Sequence, residues 1–259
     1  MEPHPGASAM RAFGRVHFWP GGSLWIGRGK GRSQWHDHHA HQITLPFEGP
    51  CLFRSEESGS WTEFAAAFVQ SERHHQFEID DMTAAQLFVE PETSEGRALS
   101  QRFGAAAISP LPEADRIAMA AMLRSSYEAG SSAAEIVATA RAAVAVLAGL
   151  RAPGEGVDAR VAKALDFIRA RIRGPIRLDE VAGAAALSPG RFRHLFVEET
   201  GAAFRPYVLW LRLNVAIECA MAGRSWTEAA HEAGFADSAH LTRTFKRMFG
   251  MNPAMLVRE

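Results

Sequence analysis

Two similar segments near the carboxyl end of the chain decide the fold. The first is LDEVAGAAALSPGRFRHLFVEETG at residues 178–201, and the second is WTEAAHEAGFADSAHLTRTFKRMFG at residues 226–250. Equivalent positions lie 49 residues apart, as Phe196 does from Phe245 and Gly201 from Gly250. A constant offset across apolar and turn positions indicates a duplicated structural unit.

Each segment has the features of two helices joined by a tight turn. In the second segment, Ser225 and Glu228 have the spacing of a capping box, and Gly234 suits a left-handed turn. Asp237 in the second segment and Ser188 in the first can each cap the helix that follows the turn. The sequence therefore predicts two helix-turn-helix units.

The second helix of each unit has one face left over once its apolar side chains are buried. In a helix-turn-helix protein this face enters the major groove, where arginine hydrogen-bonds guanine. Exposed charge on a helix is common in any helical domain. Here, however, the same exposed face occurs twice, each time on a capped helix that follows a turn, and this repetition favours DNA binding. Arg191, Lys246 and Arg247 suit phosphate contacts. The outward positions are Gly190, Arg193, His194 and Val197 in the first unit, and Ala239, Thr242, Arg243 and Lys246 in the second.

The last ~100 residues resemble the AraC-type transcription regulators. The resemblance rests on LDEVA, LSPGRFRHLF, the connecting segment LWLRLNVAIECA (209–220) and AGFADSAHLTRTFKRMFG. It implies two helix-turn-helix subdomains joined by a long helix and placed in successive major grooves of double-stranded DNA. It also adds Ser238 to the base-contacting positions. Gly190 offers no side chain, so the first unit is expected to contact fewer bases.

Composition and charge restrict the class of protein. The chain has 259 residues, of which 47% are hydrophobic and 22% charged, as is usual for a globular protein. We find no apolar run near the ~20 residues of a membrane span and no apolar core of a secretory signal. Two cysteines suggest a reducing compartment, so we expect a cytoplasmic protein. Residues 155–259 hold 15 basic and 12 acidic residues, a weak basic signal.

Residues 1–108 are predicted to form strands, because short apolar or aromatic runs alternate with turn residues. The boundaries after Ala84 stay open. Such strands are typical of a sandwich or a small barrel. The predicted strands cover 23–29, 41–47, 49–56, 63–70, 75–80 and 86–92.

Helices are predicted from Glu113 to Tyr127 and over a second segment with an apolar stripe. Two interpretations of the stripe stay open, because it can cover the strand domain or pair with a second copy. The segment RAPGEG at 151–156 is predicted to be a linker. The stripe consists of Ile136, Ala140, Ala143, Leu147 and Leu150.

AraC-type regulators often carry an amino-terminal cupin-like barrel that binds an effector. The resemblance implies an α+β chain in three parts: a cupin-like sensor barrel at 1–110, a helical linker or dimerisation segment at 111–156, and an all-α double helix-turn-helix domain at 157–259. Strands followed by helices favour the same fold class.

Six of the eleven histidines lie in two clusters, at 36–41 and 74–75. His36, His38 and Gln42 resemble the first cupin motif, with Gln42 where metal cupins have Glu, and His75 resembles the histidine of the second motif. The resemblance implies that these four residues bind a ligand. Two alternatives stay open. His36, His38 and His75 can hold a divalent transition metal such as Zn, Fe, Ni or Cu, or the histidines line an effector pocket or satisfy local hydrogen bonds.

Aromatic residues of the predicted strands are candidates for pocket walls or for core. They are Trp25, Trp35, Phe53, Trp61 and Phe68.

The expected function is DNA-binding transcription regulation controlled by a small molecule or metal in the barrel, without catalysis and without a cofactor other than that metal. The expected partners are double-stranded DNA, the effector, a second copy of the chain and RNA polymerase, with no membrane. The alternative is a metal-dependent cupin enzyme with a helical appendage, to which only the histidine cluster points.

Overall fold

The apolar runs in the first part of the chain form one mixed sheet. The computed structural model describes residues 8–150 and 157–259. The described strands are β1 (Arg11–Trp19), β2 (Gly22–Arg32), β3 (His41–Pro46), β4 (Cys51–Arg54), β5 (Thr62–Phe64), β6 (Ala67–Val69), β7 (Gln76–Val89), β8 (Ile108–Pro110) and β9 (Leu256–Arg258).

The long strand β7 organises this sheet. Its neighbours are β2 along most of its length, β4 at its start and β3 at its end. The strand order is β8-β6-β3-β7-β2-β1-β9, with β5 attached to β4. All pairings between strands are antiparallel except that of β9, which runs parallel to β1.

The predicted separate strands at 75–80 and 86–92 are one strand, which corrects the sequence prediction. The pairing of β7 with β2 shifts between Gly29 and Gly31, and Asp81 lies in the left-handed region there with a φ of 49°. Asp tolerates this conformation, so the strand bulges and continues instead of ending. The polar residues that resembled a turn are therefore a bulge.

Three elements of this part were not predicted, one of them the short strand β8. Strand β1, RAFGRVHFW, was missed because glycine and basic residues interrupt its apolar pattern. Helix α1 (Ser94–Phe103) lies in the segment whose boundaries stayed open after Ala84. Thr93 begins this helix, since its side chain accepts a hydrogen bond from the Gly96 amide.

Helices α2 (Glu113–Glu128) and α3 (Ala133–Ala148) cover one face of the sheet. The buried stripe of α3 packs with α2 and with sheet residues such as Leu24 and Leu87 in one core. The stripe therefore covers the sheet, as the first interpretation held. Leu150 lies beyond α3, because Gly149 ends the helix in a left-handed conformation. The predicted linker at 151–156 lies outside the described residues.

The carboxyl-terminal part consists of two short helix pairs joined by one long helix. Ser188, Ser225 and Asp237 cap helices as predicted, and Gly234 has a φ of 76° in the second turn. In the described ranges, no helix has the length and apolar character needed to cross a membrane. The helices are α4 (Ala159–Ala170), α5 (Leu178–Ala184), α6 (Pro189–Thr200), α7 (Phe204–Met221), α8 (Trp226–Glu232) and α9 (Ser238–Phe249), followed by a 3-10 turn at Pro253–Met255.

The two parts of the chain share one hydrophobic core. Trp25 and Phe88 of the sheet contact Phe249 of α9, and Phe88 also contacts Trp210 of α7. Strand β9, at the end of the chain, extends the sheet beside β1. The helical part is therefore docked on the sheet by side chains and by backbone pairing.

Two buried carboxylates at the end of β7 form the polar part of this interface. Glu90 accepts hydrogen bonds from Trp210 Nε1 at 3.3 Å and from Arg169 at 3.0 Å. Glu92 accepts from the Tyr207 hydroxyl at 2.8 Å and from His39 Nε2 at 2.9 Å. Every carboxylate oxygen thus has a donor, which offsets part of the cost of burying charge.

Burial and the neighbouring charges separate the pKa values of this cluster. Burial raises the pKa of Glu90 to about 7, and the carboxylate of Glu92 adds to the effect. Burial alone would lower the pKa of His39, but the carboxylates of Glu92 and Glu72 outweigh it and raise the value to about 10. His39 is therefore a buried imidazolium that pairs with Glu92.

Two adjacent residues of α3 test whether its apolar stripe is a core surface. Leu147 is fully buried, whereas Val146 is 44% exposed. Leu147→Ala should lower the free energy of unfolding by ~2–5 kcal/mol, and the control Val146→Ala should change it by less than ~0.5 kcal/mol. Urea unfolding measures both. Equal losses in the two variants would contradict the described packing.

The raised pKa of Glu90 predicts a pH-dependent contribution to stability. The folded state binds a proton that the unfolded state releases near pH ~4.3. The contribution of Glu90 is therefore full at low pH and is lost as the pH rises through about 7. The stability of the wild type relative to Glu90→Gln should fall between pH 5 and pH 8, as thermal unfolding at several pH values would show. A difference that is constant or grows with pH would refute the assignment.

Candidate nucleic-acid interface and effector site

Helix α9 has one apolar face and one basic face. Leu241 and Phe245 are fully buried, while Ala239 and Arg243 are exposed. The hydroxyl of Thr242 donates to the Ser238 carbonyl at 2.8 Å, so its hydrogen-bonding capacity is partly used within the helix. The exposed face is basic, with Arg243, Lys246 and Arg247 open to solvent.

Helix α6 repeats this arrangement in the first unit. Phe192 and Phe196 are fully buried, and Gly190, Arg193 and His194 are exposed. The duplication seen in the sequence is thus a duplication of exposed surface. Among all ten candidate DNA-binding residues, the exposed ones are Gly190, Arg191, Arg193, His194, Ala239, Arg243, Lys246 and Arg247, and the half-buried ones are Ser238 and Thr242.

The predicted ligand residues of the sheet lie together. His36 and His75 form a backbone bridge, and their ring centroids are 4.1 Å apart. The centroid of His38 lies 5.2 Å from that of His75 and 5.8 Å from that of His36. All three rings are buried, and one nitrogen from each lies within 4.8 Å of the others. The fourth predicted residue, Gln42, places Oε1 2.9 Å from His38 Nε2 and 3.3 Å from His75 Nε2.

The hydrogen bonds of the three rings indicate their tautomers. Each Nδ1 faces a backbone carbonyl two residues away, at 2.9 Å for His36 and 2.8 Å for His38 and His75. We assign the proton to Nδ1 in each ring, because a carbonyl only accepts. Each Nε2 then carries a lone pair. This is the tautomer in which a histidine binds a metal through Nε2 with its Nδ1–H held by an outer partner.

The pKa values of the three histidines also suit metal binding. Burial lowers the pKa of His36 to about 3, and the neighbouring His38 adds to the effect. Burial also lowers the pKa values of His38 and His75. The three imidazoles are therefore neutral at physiological pH, the form that ligates metal. The Nε2 lone pairs of His38 and His75 both point at the Gln42 oxygen, which is itself an acceptor. A cation bound between these atoms would relieve the repulsion, as would a rotation that turns the amide nitrogen of Gln42 toward the rings.

A small cavity of about 60 Å³ adjoins the histidine cluster. Its walls are mainly apolar, with Trp25, Phe77 and Phe88 from the sheet and polar atoms from His36, Gln42 and Gln86. A second set of wall residues comes from the end of the chain. They are Phe249, Met251 and Leu256.

Sequence reasoning did not assign this second set to the ligand site. The available signal was the apolar segment FGMNPAML at 249–256, directly after the second basic helix. Phe249 continues the apolar face of α9, but its ring packs against Trp25 and Phe88 of the sheet domain. A single sequence does not reveal which of two cores a buried phenylalanine enters.

The five aromatic residues that were candidates for pocket walls lie in three different environments. Trp25 lines the cavity, whereas Phe53 and Phe68 are core residues at 0% exposure. Trp35 and Trp61 are half-buried at the surface, where the Arg54 guanidinium lies over both rings.

The two remaining histidines of the first cluster do not join the metal-type group. His39 is bound to Glu92 at the domain interface. His41 accepts a hydrogen bond from the Ser71 amide and faces the Ser100 hydroxyl at 2.9 Å.

Comparisons with known proteins agree with this geometry. The family described as a helix-turn-helix domain matches residues 181–259. The regulatory protein PocR of Salmonella typhimurium is 30% identical over 98 residues, which cover 37% of this chain and 32% of PocR. The matched part is thus about a third of PocR.

Solved structures of ToxT from Vibrio cholerae share the fold of nearly the whole chain. An apo variant of ToxT covers 93% of this chain and 97% of its own, with a TM-score of 0.59 and 11% identity. ToxT with a bound unsaturated fatty acid covers 98% and 95%, with a TM-score of 0.54 and 12% identity. The predicted α+β class, a sheet domain followed by a helical domain, is confirmed.

PocR is a regulatory protein, and the alternative of a metal-dependent cupin enzyme is not favoured. Residues 181–259 thus match the helix-turn-helix domain family, the carboxyl-terminal part is similar to about a third of PocR, and nearly the whole chain shares the fold of ToxT.

Proposed function

We propose that this protein binds specific DNA sites through α6 and α9 and regulates transcription in response to an effector in the sheet domain. The observation that carries the proposal is the repeated surface. Two capped helices bury equivalent aromatic faces and expose equivalent faces with Arg193 and Arg243. Such a pair suits two successive major grooves of double-stranded DNA.

The exposed residues divide by chemistry. Arg193 and Arg243 can each form paired hydrogen bonds with a guanine edge, which gives sequence preference. Arg191, Lys246 and Arg247 supply phosphate contacts, which give affinity. The first helix presents Gly190 where a side chain would reach a base. The second unit therefore carries more of the specificity.

Control by an effector is supported by the docking of α9 on the sheet. The Asp37 amide donates to the Arg247 carbonyl at 3.4 Å, and the Gln34 amide donates to the Gly250 carbonyl. Both contacts belong to the loop that carries His36 and His38. A ligand that changes this loop or the cavity alters how the second unit is held, which shifts its population of DNA-binding orientations. The structure of ToxT with a bound unsaturated fatty acid supports a small-molecule effector.

The proposal includes a homodimer on paired half-sites, contact with RNA polymerase, and a place in the cytoplasm beside the DNA. Incubating purified protein with fragmented genomic DNA and sequencing the retained fragments would yield the operator. Retention without sequence enrichment would contradict specific recognition.

Arg243 tests the base-contacting face on that operator. Arg243→Ala should weaken specific binding by ~1–3 kcal/mol and relax the preference at one base pair, because a bidentate contact to guanine is lost. Titrations of the operator and of single-base variants measure both effects. The control Arg171→Ala changes an exposed arginine of the helical domain that lies over the Phe167 ring, and should leave the preference unchanged. Unaltered affinity and preference in Arg243→Ala would remove this residue from the interface.

A transition metal is a second candidate effector, favoured by the three Nε2 lone pairs. His36, His38 and His75 would bind it, with Gln42 Oε1 as a neutral fourth ligand. Three imidazoles and one oxygen suit Zn, Fe, Ni or Cu. The bound ion would supply positive charge beside the loop that holds α9. The present orientation of Gln42 already suits its role as the fourth ligand, because its amide nitrogen donates to Thr44 while Oε1 faces the histidines.

Metal binding predicts a stabilisation that depends on His75. Adding Zn²⁺ or Ni²⁺ at ~100 times its dissociation constant should stabilise the wild type by ~2.7 kcal/mol, with one equivalent retained after gel filtration. His75→Ala should abolish both effects. The neighbouring His74→Ala, a change at an exposed histidine, should retain them. Metal retention that is equal in the two variants would place the ion elsewhere.

A further inference from the structure

An open groove lies beside the first helix-turn-helix unit, between α5, α6 and α7. It has a volume of about 880 Å³, within the ~300–1,000 Å³ that is typical of binding pockets. Its lining is mainly apolar and includes Val197, Phe204 and Leu209. Val197 is 45% exposed, and Phe204 and Leu209 are half-buried. The groove is therefore an apolar surface that stays open to solvent in the described structure.

Contact with DNA does not account for the exposed valine. In a helix-turn-helix protein, base edges are reached by the amino-terminal residues of the second helix. Gly190, Arg193 and His194 lie toward that end of α6, whereas Val197 lies in its last turn. A single exposed valine needs no explanation, but one that continues into an apolar groove marks an interaction surface.

The rim of the groove is basic. Arg193 and Arg205 line it and are both exposed. Asp179, the one acid among the described lining residues, is already paired with Arg177 at 3.1 Å. Arg212 is also occupied, because its guanidinium donates to two backbone carbonyls. The groove therefore complements a partner that is apolar on one side and acidic at its edges.

The walls of the groove favour a helix as the partner. An extended peptide binds by pairing with the edge of a sheet, and the described lining residues include none from a strand. An amphipathic helix instead lays its apolar face into a groove, with anchors at positions i, i+3, i+4 and i+7. A groove between three helices suits this second mode.

We propose that this groove binds an acidic amphipathic helix of a protein partner. Apolar side chains of that helix cover Val197, Phe204 and Leu209, and its carboxylates pair with Arg193 and Arg205. Because Arg193 also belongs to the face that α6 presents to DNA, the partner helix and DNA exclude each other. The partner therefore inhibits DNA binding. This inhibition rests on the proposed function, whereas the docking does not.

Two synthetic peptides test the chemistry of the partner. Both are stapled helices with leucine at i, i+3, i+4 and i+7, and they differ only in having glutamate or lysine at the flanking positions. Fluorescence anisotropy with the full-length protein should show binding of the glutamate peptide at least tenfold tighter than that of the lysine peptide. Equal or tighter binding of the lysine peptide, or no binding of either, would overturn the proposal.

Two matched valines test the place of binding. Val197 and Val146 lie in the last turns of α6 and α3, and they are 45% and 44% exposed. Val197→Asp should bind the glutamate peptide at least tenfold more weakly than the wild type, whereas Val146→Asp should bind it normally. Similar urea midpoints would show that both variants fold. Equal affinity in the two variants would overturn docking in the groove.

Two arginines test the charge pairing. Arg205→Glu should lose most of the preference for the glutamate peptide over the lysine peptide, because a carboxylate then faces a carboxylate. The control Arg171→Glu changes another exposed arginine of the helical domain and should keep the preference. An unchanged preference in Arg205→Glu would overturn the pairing.

A second copy of the chain is the other possible occupant of the groove. Sedimentation of the wild type and of Val197→Asp should show the same oligomeric state. Self-association that Val197→Asp abolishes and Val146→Asp retains would assign the groove to a second copy and would overturn the protein partner.

DNA binding is measured separately on the same proteins. Saturating operator should weaken binding of the glutamate peptide at least tenfold, and unhindered binding of both would overturn the inhibition. If the operator is bound but the peptides do not differ, the docking is wrong and the proposed function stands. If Val197→Asp abolishes peptide binding but no DNA fragment is enriched by the wild type, the docking is supported and the proposed function fails.

Discussion

The packing of Phe249 against Trp25 and Phe88 is the contact on which the rest of the structure depends. Phe249 is the last residue of α9, and its ring lies in the core of the sheet domain. A buried aromatic side chain contributes several kcal/mol, so this contact holds the second helix-turn-helix unit firmly in place. Helix α9 and the cavity of the sheet domain therefore share a residue. Communication between them needs no long pathway.

The buried carboxylates give this docking its specificity. Glu90 and Glu92 stand side by side, and each needs donors from the helical domain: Trp210 and Arg169 for one, Tyr207 for the other. Separating the domains would hydrate these groups, whereas docking in a wrong orientation would leave them buried without partners. Apolar contacts alone would tolerate sliding. The carboxylates restrict the docked state to one arrangement.

The sequence predicted the helical domain better than the sheet. Helix caps such as Ser188, Ser225 and Asp237 act locally, and the 49-residue offset doubled the signal. The exposed faces of α6 and α9 followed from helical spacing alone. In the sheet, by contrast, β1 was hidden by its glycine and charges, and the bulge at Asp81 resembled a turn. The histidine cluster was visible because His36 and His38 are close in sequence, but the roles of Phe249 and Leu256 depend on contacts over more than 200 residues. Contacts between residues so far apart produce no periodic pattern of apolar residues in a single sequence.

The central claim is that one chain places two equivalent helices in successive grooves of the same DNA. Hydroxyl-radical footprinting on the recovered operator tests it at single-nucleotide resolution. For each bound chain we predict two protected stretches on one face of the duplex, with centres ~10–10.5 base pairs apart. A single protected stretch, or two on opposite faces of the DNA, would contradict the account.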